Sequence, residues 1–186
     1  MLGWWKKQKQ GTPQGEVDMA AAAAADALQV FRGVQAALGE ARPDLSGDPF
    51  LVGVLASHAA IMSTLIAGGP CPPAVTEGAM ISVLEQAFGA DGVDAVRAVA
   101  LLMQFKNDPE YVRGIQASTL MLAARFGRKD LQDEPQLVAA RSRVQSLPKA
   151  VRDGLGGAEH DQVAALLCQQ LVIEPLTARY GPRQPT

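Results

Sequence analysis

The chain has 186 residues, 48% of them hydrophobic and 19% charged, and a formal net charge of −2. That balance excludes a disordered chain and argues against a general nucleic-acid binder, which carries a basic excess. A chain of this length can bury a core that needs no disulfide or metal staple. Aromatic residues make up only 5%, so the core has to come mainly from Leu, Val, Ile, Met and Ala.

Residues 1–17 read as a basic tail. Trp4 and Trp5 stand beside Lys6, Lys7 and Lys9, with no acid among the first nine residues. The positive charges follow the apolar residues, so a secretory leader is not expected here. A single helical domain is expected over 18–180, with a short tail from 181 to 186.

The first helix is expected to start near Asp18, a residue type that caps free amides. Phe31, Val34 and Leu38 lie on one face at steps of three and four, and Gly39 and Pro43 end the helix. Asp48-Pro49 restarts the chain, with Asp as cap and Pro at a position whose amide has no partner anyway. That second helix runs to Ala67 and stops at Gly68-Gly69. Residues 50–67 contain no Asp, Glu, Lys or Arg, the minimum length for a membrane span. Ser57, His58, Ser63 and Thr64, and the lack of flanking cations, favour a helix buried in a soluble core.

After Pro70, Cys71, Pro72 and Pro73, a third helix is expected over about Val75–Phe88, with Gly89 as its stop. Asp91 is expected to cap a fourth helix. Its apolar residues from Ala98 to Met103 lie nearly all round, which predicts a central position. Asp108-Pro109 opens a fifth helix to Phe126, with Tyr111, Ile115, Leu122 and Phe126 on one face and Gly127 as stop. Glu134-Pro135 opens a sixth that Pro148 breaks, and a short helix to Leu155 follows. The last helix starts near Ala158, and Pro175 is expected to kink or end it. No stretch alternates in the manner of a strand. The expected fold is all-α: a compact bundle or helical-hairpin array of about seven helices.

Chemistry-bearing patterns are sparse. His58 lies in the uncharged helix with no partner at helical spacing, because residues 54, 55, 61 and 62 are Val, Leu, Ile and Met. Glu159, His160 and Asp161 are adjacent, so on a helix they diverge and cannot share one metal ion. Cys71 and Cys168 fit neither a disulfide framework nor zinc spacing. Cys71 sits in a stiff loop near a helix start, whereas Cys168 reads as a small core residue. No nucleophile elbow, phosphate loop or dinucleotide fingerprint occurs. No catalytic residue, metal site or cofactor is expected.

Two surfaces stand out. Arg125, Arg128, Lys129, Arg141 and Arg143, with Lys149 and Arg152, outnumber the acids near them and suit an acidic partner or anionic ligand. Trp4 and Trp5 suit a partner's groove, the chain's own surface, or an anionic membrane met by the neighbouring lysines. The sequence therefore points to a non-enzymatic helical interaction module: an adaptor, chaperone-like module or assembly subunit. Its partner is another protein or a second copy, not nucleic acid. It is expected in the cytoplasm, with a membrane-peripheral variant. Two alternatives stand beside this reading: a small-molecule binder or enzyme with a pocket near His58, and a peripheral membrane protein tethered by residues 1–9.

Overall fold

The computed structural model describes residues 13–39, 43–155 and 157–181, so the expectations for Trp4, Trp5, Lys6, Lys7 and Lys9 lie outside the described residues. Among the described residues the chain is helical throughout, with no strand. The helices are α1 (Pro13–Leu38), α2 (Pro49–Ala67), α3 (Pro73–Phe88), α4 (Ala95–Phe105), α5 (Pro109–Phe126), α6 (Pro135–Ser146), α7 (Lys149–Leu155), α8 (Glu159–Cys168) and α9 (Glu174–Tyr180). A π-turn, Gln169–Ile173, joins α8 to α9 without a break.

Local chemistry sets the boundaries. Asp48 Oδ1 accepts from the Leu51 amide at 2.9 Å and Asp108 Oδ1 from the Glu110 amide at 2.7 Å, so both Asp-Pro starts are capped. Gly68 and Gly127 close the same two helices in the left-handed conformation, at φ +69° and +64°. Four boundaries depart from expectation. First, α1 begins at Pro13 rather than near Asp18, which sits inside it and accepts from Gln14 at 2.9 Å. Second, Gly89 stays right-handed and opens a 3₁₀ turn, so the chain reverses at Gly92, φ +77°. Third, Asp94 rather than Asp91 caps α4, accepting from the Arg97 amide at 2.8 Å. Fourth, of the kink or end expected at Pro175, the end does not occur: Pro175 enters α9 at its first turn. Within an uninterrupted α-helix its ring would meet the carbonyl four residues back, and the wider π-turn ahead of it changes that register.

The interior is built around α2. Phe50, Leu51, Val52, Val54, Leu55, Ala56 and Ala59 are all buried, so this helix is covered nearly all round. By length and composition it is the one described helix able to cross a membrane, yet most of it is packed inside the protein. On one side α1 and α3 cover it, and Phe31 of α1 meets Phe88 of α3 edge to face at 5.4 Å. On another side α5 lies directly against it. A Cβ on Gly114 would overlap the Phe50 carbonyl oxygen, and one on Gly53 would overlap the carbonyl oxygen of Tyr111. Only glycine at both positions lets the two backbones approach this closely. The N-terminal ends of α2 and α5 lie together, because Arg179 bonds both Asp48 and Glu110. The two helices therefore run in the same direction, which a simple array of antiparallel hairpins does not contain.

The fourth helix is not central. Only Ala98, Leu101 and Phe105 are buried, at steps of three and four, while Val96 is 79% and Met103 63% exposed. It packs one face on α2 and α3 and turns the other outward. Its apolar content exceeded what one contact face could cover. Phe126, expected on the buried face of α5, is likewise 46% exposed and lies under the Arg125 guanidinium at 5.4 Å.

Candidate functional site

Three features collect the polar chemistry of the described residues. The first joins three helices. His58 of α2 is buried, and its Nε2 lies 2.9 Å from Oδ2 of Asp26 on α1. Arg125 at the end of α5 donates to both Asp26 oxygens at 3.0 Å. The His58 hydrogen bond, aided by Arg125, holds the Asp26 carboxyl below its ordinary 3.8 against the opposing pull of burial. An ionised carboxylate only accepts, so Nε2 carries the hydrogen. His58 Nδ1 is buried with no partner among the described residues. His58 does not line any of the three cavities described for this surface. Sequence spacing missed Asp26 because the partner comes from another helix. A usable signal existed: Asp26 is the lone charge between Met19 and Phe31, and His58 the lone titratable group between Phe50 and Ala67. Solitary polar groups on apolar faces are rarely left unpaired.

The second feature ties the chain's end to the starts of α2 and α5. Asp48, fully buried, accepts from Arg179 Nη1 at 2.6 Å and from the Tyr180 hydroxyl at 2.8 Å. Arg179 Nη2 reaches Glu110 at 2.9 Å, and Glu110 accepts from Arg113 Nη1 at 2.6 Å. Arg113 in turn stacks over the Phe50 ring at 5.4 Å. The acids sit where helix N-termini favour negative charge, and Arg179 balances them. Glu110 first, then Asp48, strengthens the hold of the Arg179 guanidinium on its proton, and burial together with Asp48 pushes the Tyr180 hydroxyl up. The sequence showed Asp48 only as a cap; nothing local marked Arg179 and Tyr180 as its partners.

The third feature is a groove of about 700 Å³ beside that network. Phe50, Ile115, Leu120, Leu131 and Leu171, with Pro135 and Pro175, give it an apolar lining. Arg113, Gln116, Thr119, Glu134 and Gln170 supply polar rims. Gln170 and Leu171 belong to the π-turn, which sets their side chains off the ordinary helical register. The Arg113–Glu110–Arg179–Asp48 chain ties one lining residue of the groove to a buried carboxylate. A guanidinium presents five donors, more than Glu110 uses, so Arg113 can accept an anionic group as well. The rims hold amides, one hydroxyl, one cation and one carboxylate, and the hydroxyl, on Thr119, donates to the Ile115 carbonyl at 2.8 Å.

The remaining candidates are scattered. Arg125 is engaged by Asp26, and Arg128 is clamped by Asp130 in a close ion pair. Arg141 donates to the Gln132 carbonyl at 3.2 Å. Lys129 and Arg143 are exposed. His160 lies 3.6 Å from Asp161 on the surface, and Glu159 instead accepts from Gln145 at 2.9 Å. Among the described residues no three His, Cys, Asp or Glu side chains converge as metal ligands. Cys168 is mostly buried, and burial pushes its thiol up to about 11. Compared with protein-family models, curated proteins and solved structures, the chain matches none of them.

Proposed function

We propose that this chain is a non-enzymatic helical interaction module that takes a segment of another protein into the groove between α5 and the π-turn. The observation that carries the reading is the groove itself. It is open to solvent, its aliphatic and aromatic lining residues are buried or half-buried, and most of its polar ones are exposed. That layout suits an amphipathic segment laid along an apolar channel. Arg113, braced by Glu110 and stacked on Phe50, favours an acidic residue at one end of the bound segment. The side-chain amides of Gln116, Gln136 and Gln170, each both donor and acceptor, suit polar flanks of the same segment.

The test is selection of displayed peptides on the immobilised chain. The expected binders carry apolar residues at helical spacing and an acid near one end. Gln116→Trp, at an exposed wall position, fills the groove from outside the core and is expected to abolish their binding with an unchanged far-UV circular dichroism spectrum. Arg113→Ala is expected to weaken acid-bearing peptides about two- to fivefold and others little. Peptides that bind the Gln116→Trp chain as well as the parent sink the proposal.

A further inference from the structure

The joint between α7 and α8 carries an inference independent of the groove. Lys149 and Arg152 stand three apart on α7, and Glu159 and Gln162 stand three apart on α8, so each pair shares one helix face. The four residues line one cavity of about 300 Å³ that opens to solvent. That is room for about ten waters, or for a small oxyanion with part of its hydration shell. Hydrogen bonds fix the frame. Gln162 Nε2 donates across the joint to the Arg152 carbonyl at 3.0 Å, and Gln145 Nε2 of α6 donates to Glu159 Oε1 at 2.9 Å. The two cations have no such partner. Arg113, Arg125, Arg128 and Arg179 are each held by an acid. Among the described residues neither Lys149 nor Arg152 is, and Arg152 Nε is buried with no hydrogen-bond partner. A guanidinium nitrogen kept from water and given no acceptor is costly, and an acceptor supplied from outside offsets that cost.

We propose that this cavity binds a small tetrahedral oxyanion that still carries a proton, the hydrogen-phosphate ion. Lys149 and Arg152 supply the positive charge, and the Arg152 guanidinium offers parallel N–H donors that match two oxygens of an oxyanion. Glu159 decides which oxyanion is taken. Its charge opposes any anion, but Gln145 occupies only Oε1, so Oε2 remains an acceptor on a residue that lines the cavity. A P–OH group donates to that oxygen, which replaces a repulsion with a charge-assisted hydrogen bond. Sulfate has the same shape and charge as the hydrogen-phosphate dianion but carries no proton near neutral pH. It meets Glu159 only as a like charge, which costs binding. The two cations thus provide attraction, and the one carboxylate provides the choice between anions.

Calorimetric titration of the full chain at pH 8 and constant ionic strength tests this with three probes: inorganic phosphate, sulfate and glycerol phosphate. At that pH inorganic phosphate keeps one P–OH, whereas sulfate has none and the ester has lost its last acidic proton. Inorganic phosphate is expected to bind at least about fivefold more tightly than either of the others. Glu159→Gln, at an exposed position, is expected to bring sulfate and the ester to within about twofold of phosphate, chiefly by strengthening them. Lys149→Gln, also exposed, is expected to weaken phosphate about threefold or more. Both variants are expected to keep the far-UV circular dichroism spectrum of the parent. Equal binding of the three probes by the parent overturns the proposal, because it marks a non-selective cationic surface. Absence of phosphate binding overturns it too, as does a preference for phosphate that Glu159→Gln leaves intact.

Discussion

His58 Nε2 lies 2.9 Å from Asp26 Oδ2, across 32 positions of sequence and between two different helices. The pair is lopsided: the His58 side chain is 5% exposed, the Asp26 side chain 21%, and Arg125 holds the carboxylate from the wetter side at 41%. The imidazole is thus the member that depends on the pairing, because it has no access to water as a substitute.

Removing Asp26 should therefore cost more than removing Arg125. Asp26→Ala leaves a buried ring nitrogen unsatisfied and is expected to destabilise the fold by about 2 kcal/mol. Arg125→Ala removes the exposed half of the cluster and is expected to cost less than about 1 kcal/mol. Urea midpoints of the two variants, measured with the parent, check the order; equal losses would contradict it.

The same carboxylate sets a pH dependence. Its folded pKa is depressed below 3.8, chiefly by the His58 hydrogen bond. The associated stability is therefore fully present above 3.8 and is lost as pH falls through the folded value. Asp26→Asn is expected to be less stable near neutrality and to show a shallower loss on acidification. Acid titration of both chains by circular dichroism gives the slopes to compare.

Gly114 and Gly53 should tolerate no side chain. Gly114→Ala puts a methyl group against the Phe50 carbonyl and 2.7 Å from the Val54 amide nitrogen, where only backbone movement relieves it. A helical Gly→Ala change ordinarily gains about 1 kcal/mol. Here overpacking reverses the sign, with an expected loss of about 3 kcal/mol. Gly78→Ala, inside α3 with only Ala20 Cβ at 3.8 Å beside it, is the matched helical control and is expected to gain up to about 1 kcal/mol.

Asp48 combines a helix cap with two side-chain partners in a buried setting. Asp48→Ala is expected to cost about 3 kcal/mol, the sum of a lost cap and lost charge-assisted bonds. Asp48→Asn keeps an oxygen for the Leu51 amide and is expected to lose roughly half as much. Thermal unfolding of both variants separates the two contributions.

Cys168 should be chemically quiet. With its thiol pushed up to about 11 by burial, it holds very little thiolate at pH 8. Alkylation of the native chain followed by peptide mass analysis is expected to leave Cys168 unmodified, and full reaction is expected only after denaturation. Rapid native labelling at Cys168 would show that the end of α8 opens readily.

The parts of this fold that were legible in the sequence are the local ones. Asp48-Pro49 and Asp108-Pro109 each carry cap and first turn within two residues, and Gly68 and Gly127 sit where only a left-handed residue serves. What escaped depends on distant residues. The apolar stretch of α4 says that the helix has contacts to make, but not that α5, rather than α4, lies along α2. Gly89 and Gly92 are both plausible stops, and the choice falls to the second only because the 3₁₀ turn continues α3 by three residues. The candidate groove has residues from four segments between Phe50 and Pro175, so no window of sequence contains it. Its one local trace, Pro175 inside a helical pattern, predicts a kink or an end because a π-turn has no signature of its own.

The glycine contact between α2 and α5 has a consequence for synthesis on the ribosome. α2 is complete at Ala67, yet the helix that fits its glycine face begins at Pro109. For the time it takes to make the intervening stretch, the most apolar segment of the chain has one flank with nothing to pack on. That interval is when premature association, or capture by machinery that recognises apolar helices, has its opening. A pause placed between residues 67 and 109 would lengthen it, and fast translation through α3 and α4 would shorten it.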